Sequence, residues 1–364
     1  MAPGDVVFIL TLVCFLLQLS YWSFFLFQFE KNTKPLLPTS VLPPISVVIC
    51  ARNEEDNLRK NLPRVLEQIY PEFEVILVDH NSSDGTANFI HQLLKQYRHL
   101  HYIHFCDQAT GKRNALIHGL KNCTYDHILL TDADCYPISQ NWIMKMCAPF
   151  GNGVDIILGA APLIGEKSML SRFSQIEAAQ IYLQYAAATF SHFSYMGVGR
   201  NMAYKKNRYL SFDQKAFKNL IGGDDDLFVS ANASLTISLV NDEDAMMYST
   251  AQKSWSEYYK QKHRHVSVSW KYTWLQKIYL AVFSGSHWCL TLLWVISWYY
   301  QTYFWTISIL FLLKTIISFF VLKRLARAFL SKCTLIELLI TELIYLVHYP
   351  IIGFYLLSKP PKRW

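Results

Sequence analysis

The chain has 364 residues, of which 52% are hydrophobic, and it carries a formal net charge of +7. The apolar residues are concentrated in the first thirty and the last ninety positions, and the middle has the composition of a soluble domain. This distribution indicates a membrane protein with one extramembrane domain. Because the middle has no basic tract interleaved with aromatic residues, we expect no nucleic-acid partner. None of the eight cysteines forms a Cys-x-x-Cys pair, which argues against a zinc site.

The first apolar stretch, residues 6–29, is about long enough to span a bilayer. Charged residues flank it and no small-residue cleavage pattern ends it, so we expect residues 1–30 to form a retained signal anchor. A cleaved signal peptide is the alternative. Lys31 and Lys34 favour the cytoplasm for the C-terminal side of the stretch. Residues 31–44, rich in proline, are predicted to form a stiff linker.

Apolar strand-like runs alternate with helical stretches over residues 45–250. The predicted strands cover 45–50, 73–79, 100–105, 127–131 and 154–159. Alternation of this kind predicts right-handed βαβ units and therefore an α/β domain with a mainly parallel sheet. No Gly-x-Gly-x-x-Gly or Walker-type loop follows the first strand, which argues against dinucleotide-binding and P-loop domains.

Two later segments of this domain leave alternatives open. Residues 168–191 are predicted to be helical, either in the core or at a membrane interface. Gly197 and Gly199 precede a predicted strand through residues 202–204. They either let the backbone approach a ligand or form an ordinary turn.

Two carboxylates, Asp132 and Asp134, stand one residue apart where the strand 127–131 ends. The carboxyl ends of parallel strands form the edge at which open α/β sheets bind ligands. Hard oxygen ligands suit Mg²⁺ or Mn²⁺, which also accepts substrate phosphate oxygens. A simple polar turn is the alternative. Polar residues also end the three earlier strands or follow them: Glu54, Asp79 and Lys112.

Three consecutive aspartates, residues 224–226, follow Gly223 and lead into a helical stretch. One of them would suffice to cap the helix. Crowded carboxylates repel each other, and this raises the pKa of one of them toward that of a proton acceptor. The cluster is therefore a candidate general base, with helix capping as the alternative.

A basic and aromatic segment, residues 251–275, contains Gln261 and Arg264. One interpretation is a juxtamembrane helix with an aromatic belt. The other is a cation that binds a diphosphate leaving group. The two interpretations are compatible.

The C-terminal region, residues 276–364, is predicted to be a transmembrane region with apolar stretches at 278–300, 303–322 and 335–357. Lys314, inside the second stretch, either snorkels or has a function. Four full crossings would put the C-terminus outside, although the basic residues at 359–363 favour the cytoplasm. One interpretation is that the last stretch re-enters and is broken near Pro350.

These motifs together resemble those of the membrane-bound inverting family 2 glycosyltransferases, a group that includes cellulose, chitin and hyaluronan synthases and ceramide glucosyltransferase. The resemblance covers roughly residues 45–264. Five segments carry it: 45–55, 79–86, 111–116, 132–134 and 223–226. It implies a GT-A fold, with a mostly parallel sheet flanked by helices, one N-terminal and about three C-terminal transmembrane helices, and residues 45–250 as a cytosolic catalytic domain.

The resemblance also implies roles in donor binding. Glu54 and Asp79 would hold the nucleoside, and Asp79 as acceptor of the uracil N3–H favours a UDP-sugar. Lys112 would lie near the donor. Gln261 and Arg264 match the family's Gln-x-x-Arg-Trp motif, but His265 stands where the family has Trp. This departure puts processive polymer synthesis in doubt.

The metal motif and the base follow in the same way. Asp134, with Asp132, would bind Mg²⁺ or Mn²⁺, and Asp225 would be the catalytic base. The expected reaction is inverting sugar transfer to a lipid-linked or glycolipid acceptor, in a bacterial inner membrane. The alternatives are a processive polysaccharide synthase and a membrane subunit that binds a nucleotide-sugar without turnover.

Overall fold

The computed structural model describes residues 2–32, 42–106, 111–212, 223–330 and 333–358. They divide into two compact units. The described residues of segments 1–33, 165–187 and 252–359 form the helical unit, and those of segments 34–164 and 188–251 form the sheet unit. Most of the predicted linker, and the basic residues at 359–363, lie outside the described residues.

The secondary structure follows the predicted alternation of strands and helices. The helices are α1 (Pro3–Asn32), α2 (Glu55–Leu66), α3 (Thr86–Leu93), α4 (Lys112–Asn122), α5 (Trp142–Cys147), α6 (Met169–Phe190), α7 (Lys206–Leu210), α8 (Asp224–Ala231), α9 (Trp255–Val266), α10 (Trp274–Tyr300), α11 (Phe304–Leu325) and α12 (Leu335–Leu357). The strands are β1 (Ile45–Ala51), β2 (Phe73–Asp79), β3 (Leu100–His104), β4 (His127–Asp132), β5 (Cys135–Pro137), β6 (Ile156–Gly159), β7 (Leu163–Ile164), β8 (Met202–Lys205), β9 (Ile237–Val240) and β10 (Met247–Thr250).

A seven-stranded sheet with the order β3-β2-β1-β4-β8-β6-β9 forms the core of the sheet unit. β1 is parallel to both β2 and β4, whereas β8 lies antiparallel between β4 and β6. The central strands are apolar along most of their length and buried on both faces, as expected of parallel strands that are covered by helices. The predicted α/β architecture with a mostly parallel sheet is confirmed. A second sheet has the order β5-β10-β7.

The strand register determines where the acidic residues stand. Asp79, the last residue of β2, pairs with Ala51 of β1, and Asp132, the last residue of β4, pairs with Cys50 of β1. Both aspartates therefore end at the same edge of the sheet, on either side of the end of β1. This is the carboxyl edge on which we expected the polar residues to converge.

The segment for which two environments were open forms α6, and nearly all of its side chains are buried. Met169, in its first turn, is the exposed exception. This burial favours the core interpretation over an exposed interfacial helix.

Within the described residues, four helices are long and apolar enough to cross a membrane: α1, α10, α11 and α12. α1 and α10 run antiparallel and are linked by polar contacts within their apolar lengths. The Tyr21 hydroxyl donates to the carbonyl of Tyr279 at 2.7 Å, and the Gln18 amide donates to the carbonyl of Phe283 at 2.9 Å. The predicted arrangement of one N-terminal and three C-terminal apolar helices is confirmed.

The prediction of a break near Pro350 is wrong, because α12 runs without interruption from Leu335 to Leu357. Pro350 has no N–H to donate to the carbonyl of Leu346, four residues earlier. The indole N–H of Trp288 on α10 donates to that carbonyl instead, at 3.2 Å. A side chain from a neighbouring helix thus satisfies the group that the proline leaves free.

Lys314 does not snorkel, because it is buried within the helical unit. Its ammonium group lies 2.7 Å from both carboxylate oxygens of Glu342. The His287 Nε2 atom lies 2.6 Å from the same carboxylate. The three side chains come from α11, α12 and α10, so the cluster joins the three C-terminal helices.

Candidate active site

The loops that follow β1 and β2 are cross-linked at the carboxyl edge of the sheet. The backbone N–H of Asn53 donates to the Ser82 hydroxyl at 2.9 Å, and the N–H of Ser83 donates to the Asn53 side-chain oxygen at 2.8 Å. The N–H of Glu55 donates to the carboxylate of Asp84 at 3.2 Å. Asn53 has a φ of 55°, a conformation that asparagine tolerates better than most residues. These contacts hold the two loops together as one wall of the site.

Asp79 is buried, and each of its carboxylate oxygens has a partner. One oxygen accepts from the backbone N–H of Ser82 at 2.9 Å, and the other accepts from the Tyr102 hydroxyl at 2.8 Å. Burial raises the pKa of Tyr102, and the Asp79 carboxylate raises it further, so the hydroxyl stays protonated and donates. Sequence reasoning missed Tyr102, although β3 lies beside β2 in the sheet.

Glu54 is half-buried directly before α2. Its carboxylate accepts from the Asn57 amide at 2.6 Å. Burial raises the pKa of Glu54, and the charges of Asp134 and Asp132 raise it further against the effect of Asn57. The predicted nucleoside residue therefore lies within the electrostatic field of the predicted metal motif.

Asp132, Asp134 and Cys135 bring two carboxylate oxygens and a sulfur within 4.8 Å of one another. The Cys135 thiol donates to an Asp134 oxygen at 3.1 Å. Burial holds the pKa of this thiol well above its ordinary value, with further contributions from both aspartates. The thiol therefore stays protonated and is a poor ligand. The two carboxylates remain as hard oxygen donors, and this donor set fits Mg²⁺ or Mn²⁺.

Lys112 begins α4, and its ammonium group pairs with the Asp132 carboxylate. Burial alone would lower the pKa of Lys112, but the ion pair with Asp132 outweighs burial and raises it. Asp225 acts on Lys112 in the same direction. The Lys112 ammonium group therefore stays charged. It pairs with Asp132 of the metal motif, and its charge also acts on Asp225, the predicted base.

Asp225 lies in the first turn of α8, and one of its oxygens accepts from the backbone N–H of Gly199 at 2.7 Å. A Cβ atom on Gly199 would lie 2.8 Å from that oxygen, so the glycine is what lets the backbone approach. The N-cap position of α8 is Gly223, and no side chain caps it there. Burial raises the pKa of Asp225, although the Gly199 N–H and Lys112 lower it. A carboxylate with a raised pKa is suited to accept a proton. Helix capping does not require a raised pKa.

Gln261 and Arg264 lie in the helical unit, three positions apart on α9, so they project from one side of that helix. The Ser254 hydroxyl caps α9 by accepting from the N–H of Glu257 at 3.2 Å. The guanidinium of Arg264 forms no ion pair with any other residue that the structure describes. The role of this pair in diphosphate binding stays a prediction.

The family described as "Glycosyl transferase family 2" matches residues 46–216, which include Glu54, Asp79, Lys112, Asp132 and Asp134. The match covers 171 of the 364 residues, so it identifies a family 2 glycosyltransferase domain within the chain. This domain confirms the resemblance that the motifs indicated, and four apolar helices among the described residues accompany it. The assignments of individual residues to donor, metal and base stay predictions.

Two curated relatives match parts of this chain. Glycosyltransferase AglE of Haloferax volcanii is 34% identical over 124 residues, which is 33% of the chain and 40% of AglE. Poly-beta-1,6-N-acetyl-D-glucosamine synthase of Staphylococcus aureus is 27% identical over 156 residues, which is 42% of the chain and 37% of the synthase. The matches thus span about two fifths of the length of each relative.

One solved structure resembles nearly the whole chain. It is the mannosyltransferase PcManGT from Pyrobaculum calidifontis in complex with GDP-Man and Mn²⁺. The TM-score is 0.62 at 16% sequence identity, and the likeness covers 98% of this chain and 99% of the other. At this identity the likeness bears on the fold, and together with the parallel sheet it confirms the predicted GT-A architecture.

Proposed function

We propose that this protein is a family 2 glycosyltransferase that moves a sugar from a nucleoside diphosphate sugar, in the first place a UDP-sugar, to an acceptor carried by a membrane lipid. The observation that carries the proposal is the arrangement around Lys112. Its ammonium group pairs with Asp132, which lies beside Asp134 in the metal motif, and its charge acts on Asp225, whose pKa is raised by burial. In the proposed reaction the metal would act on the leaving group and the base on the acceptor hydroxyl, so the two would need to lie at one site of this kind.

Donor binding would use the wall that the first two loops build. The Asp79 carboxylate is held by Ser82 and Tyr102, and an oxygen of a carboxylate can accept more than one hydrogen bond. It would accept the N3–H of uracil, with Glu54 beside it. The fold relative PcManGT was solved with GDP-Man, which makes GDP-mannose the second donor to test.

Asp134, with Asp132, would hold Mg²⁺ or Mn²⁺. When bound, such a cation neutralises the diphosphate and makes it a better leaving group. Asp134 is exposed and forms no ion pair within the described residues, so its oxygens are available to a cation. Lys112, and Arg264 by the family motif, would add positive charge at the leaving group.

The transfer itself would be a single displacement. Asp225 takes the proton of the acceptor hydroxyl while that oxygen bonds to the anomeric carbon. The bond from the anomeric carbon to the diphosphate breaks on the opposite face, and the nucleoside diphosphate leaves. One displacement of this kind inverts the anomeric configuration. The N–H of Gly199 would orient Asp225 for the proton transfer.

A lipid-borne acceptor is supported by the four apolar helices that accompany the catalytic domain. We propose that the catalytic domain faces the cytoplasm, because Lys31 and Lys34 follow the first apolar helix. A bacterial inner membrane is the location we propose for the chain. Processive polysaccharide synthesis is the second candidate, since one relative is a poly-beta-1,6-N-acetyl-D-glucosamine synthase. His265 in place of the family's Trp argues against it.

The test is release of nucleoside diphosphate by the detergent-purified protein across a panel of UDP-sugars and GDP-mannose, with Mn²⁺ or with EDTA and with added membrane lipids. We expect release from one donor, dependent on metal, with transfer of a single sugar to a lipid fraction. Asp225→Asn should lower the rate by about 10²–10⁴-fold, because a positioned base contributes about that much. Donor binding should survive in this variant.

The matched control is Asp126→Asn, which changes an exposed aspartate just before the other end of β4. It should retain wild-type release. Loss of donor binding in Asp225→Asn would contradict the role of Asp225 as base. Long polymer in the reaction would favour the synthase, and donor binding without release in the presence of lipids would favour a non-catalytic subunit.

A further inference from the structure

The short turn before β8, residues 199–201, is held in a fixed position inside the sheet unit. The Asn201 amide donates to the carbonyls of Ala160 at 2.7 Å and Ala245 at 2.9 Å. Its side-chain oxygen accepts from the Trp142 indole at 3.0 Å. Asn201 is fully buried, so these contacts fix the backbone of the turn without help from a charged side chain.

Arg200 lies in the middle of this turn, near the predicted base and the metal motif. The preceding residue, Gly199, donates its backbone N–H to the Asp225 carboxylate at 2.7 Å. The charge of Arg200 also acts on the Cys135 thiol, which lies beside Asp134. Arg200 is therefore next to the residue that holds the base, and its charge reaches the metal motif.

The hydrogen-bonding groups of the Arg200 side chain are largely without acceptors in the protein. One terminal nitrogen donates to the carbonyl of Ala161 at 3.0 Å. The Nε atom is buried and has no hydrogen-bond partner within the described residues. In the same unit Arg208 pairs with Asp155 at 3.3 Å, whereas Arg200 forms no ion pair with any residue that the structure describes. The residue as a whole is partly exposed, so part of the side chain is accessible to a ligand.

This environment does not suit a purely structural arginine. The contact with the Ala161 carbonyl needs one N–H and no charge, and a buried donor without an acceptor costs stability. Native proteins rarely leave such groups without a ligand, an ion or a water molecule to complete them. The planar guanidinium presents its N–H groups as a fork that matches the oxygens of a phosphate. An anionic ligand would satisfy both the charge and the remaining donors.

We propose that Arg200 binds a phosphate group of a substrate. This inference rests on the proposed function and deepens it, because it gives the sheet unit a second substrate-binding cation besides Lys112. The phosphate belongs either to the diphosphate of the donor or to a lipid-linked acceptor. The nearness of Arg200 to Cys135 and the metal motif favours the donor. Its position beside Gly199, which holds the base, favours the acceptor.

The test measures binding of two phosphate probes to the full chain purified in detergent. Inorganic pyrophosphate with Mn²⁺ represents the donor diphosphate. Octyl phosphate represents the phosphate of a lipid acceptor, with octanol as its phosphate-free reference. In Arg200→Met, titration calorimetry should show an affinity about 10–100-fold lower for at least one probe, since hydrogen bonds between charged groups are the strong ones. Octanol binding should not change, and the probe that is affected identifies the source of the phosphate.

The matched control is Arg98→Met, which changes an exposed arginine just before β3, at the edge of the sheet opposite to Asp79. It should keep the wild-type affinity for both probes. Arg200→Lys keeps the charge without the planar fork and should recover part of the lost affinity. If Arg200→Met does not fold, Arg200→Lys replaces it in the test and should weaken binding several-fold relative to the wild type.

Wild-type affinity of folded Arg200→Met for both probes would overturn the inference and leave Arg200 a structural role at Ala161. A wild-type protein that binds neither probe would overturn it as well. Neither titration depends on the sugar, on the nucleoside or on turnover. Absence of nucleoside diphosphate release would therefore count against the proposed function and leave the phosphate site to be judged by these affinities.

Discussion

The two units of the molecule differ in whether their carboxylates are paired with basic side chains. In the helical unit, the buried Glu342 has Lys314 at 2.7 Å and His287 at 2.6 Å. The buried Glu177 has Lys262 at 2.7 Å and His348 at 3.4 Å. Each of these two buried carboxylates is paired with basic side chains of the chain itself, as expected where burial makes an unpaired charge costly.

At the carboxyl edge of the sheet unit the balance is acidic. Lys112 pairs with Asp132, whereas Asp134 and Asp225 form no ion pair within the described residues. Glu54 lies in the same field, and its pKa is raised by burial and by its acidic neighbours. Repulsion of this kind costs stability and is relieved by a bound cation. The predictions below follow from this difference: loss of a paired carboxylate should lower stability, and loss of an unbalanced one should lower ligand binding.

Among the variants that test this comparison, the largest effect should come from Asp134→Ala, which removes an unbalanced carboxylate. A bound metal ion stabilises the transition state by several kcal/mol, and about 1.4 kcal/mol is tenfold in rate, so kcat/KM should fall at least about 100-fold. Titration of the donor with and without Mn²⁺ should show that metal-dependent binding is lost. The thermal midpoint should stay or rise, since repulsion is reduced.

Asp126→Ala serves as the control for Asp134→Ala, because the Asp126 side chain is 86% exposed and precedes the other end of β4. It should leave donor titration unchanged. Unaltered metal-dependent binding in Asp134→Ala would contradict the metal assignment, whatever happens to turnover.

Loss of the paired carboxylate Glu342 should have the opposite effect to loss of Asp134: stability should fall, while activity is retained. Glu342→Gln leaves Lys314 buried without its counter-charge, and removing one partner of a buried pair typically costs about 3–5 kcal/mol of unfolding free energy. We expect a marked loss of thermal stability in detergent, while the folded fraction retains nucleotide release. The double variant Glu342→Leu with Lys314→Leu should be more stable than the single one, because no unpaired charge remains. A single variant as stable as the wild type would contradict the comparison.

Lys112 connects the two acidic elements of the site, so its removal should alter the pH dependence. Burial raises the pKa of Asp225, and Lys112 opposes this rise. The acidic limb of the kcat/KM profile should therefore lie above the ordinary aspartate pKa of about 4. Lys112→Met removes the charge that favours ionised Asp225, so the limb should move to higher pH.

Lys121→Met is the matched control, since Lys121 is exposed in the last turn of the same helix. It should leave the acidic limb in place. A limb that stays or moves to lower pH in Lys112→Met would contradict the electrostatic link between Lys112 and Asp225.

The strands and the acidic edge were predictable from the sequence because local pattern determines them. Apolar runs give the central strands, and Asp79 and Asp132 stand at the last positions of theirs. The position of β8 between β4 and β6 was not predictable, since it depends on pairing between residues far apart in sequence. From the sequence, Gly199 was expected either to let the backbone approach a ligand or to form an ordinary turn. In the structure its backbone N–H donates to the Asp225 carboxylate.

The helical unit was less predictable in its details. The apolar lengths identified four helices, and the sequence marked Lys314 as an unusual residue in one of them. The cluster that Lys314 forms with Glu342 and His287 depends on how three helices pack, which hydropathy does not report. The same limitation applies to Pro350, because the Trp288 indole that compensates for it comes from another helix.

Asp79 differs both from the paired carboxylates of the helical unit and from the unbalanced carboxylates at the carboxyl edge. It is buried, and its oxygens accept hydrogen bonds where the others form a close ion pair or none. His104 is 3.9 Å from one oxygen, whereas the Tyr102 hydroxyl donates to that oxygen at 2.8 Å. Tyr102→Phe removes one hydrogen bond, which is worth about 0.5–1.5 kcal/mol, and should weaken donor binding by about two- to tenfold. The KM for the donor should rise while kcat is kept.

Tyr125→Phe is the control for this smallest effect, because the Tyr125 hydroxyl donates to the exposed Glu72 at 3.2 Å, just before β4 and away from the carboxyl edge. It should leave the KM for the donor unchanged. If Tyr102→Phe lowers kcat and leaves KM alone, then Asp79 acts on the reacting groups and not on the nucleoside. The Asp79 oxygens accept hydrogen bonds from Ser82 and Tyr102 and can accept one more, which is the contact proposed for the uracil N3–H.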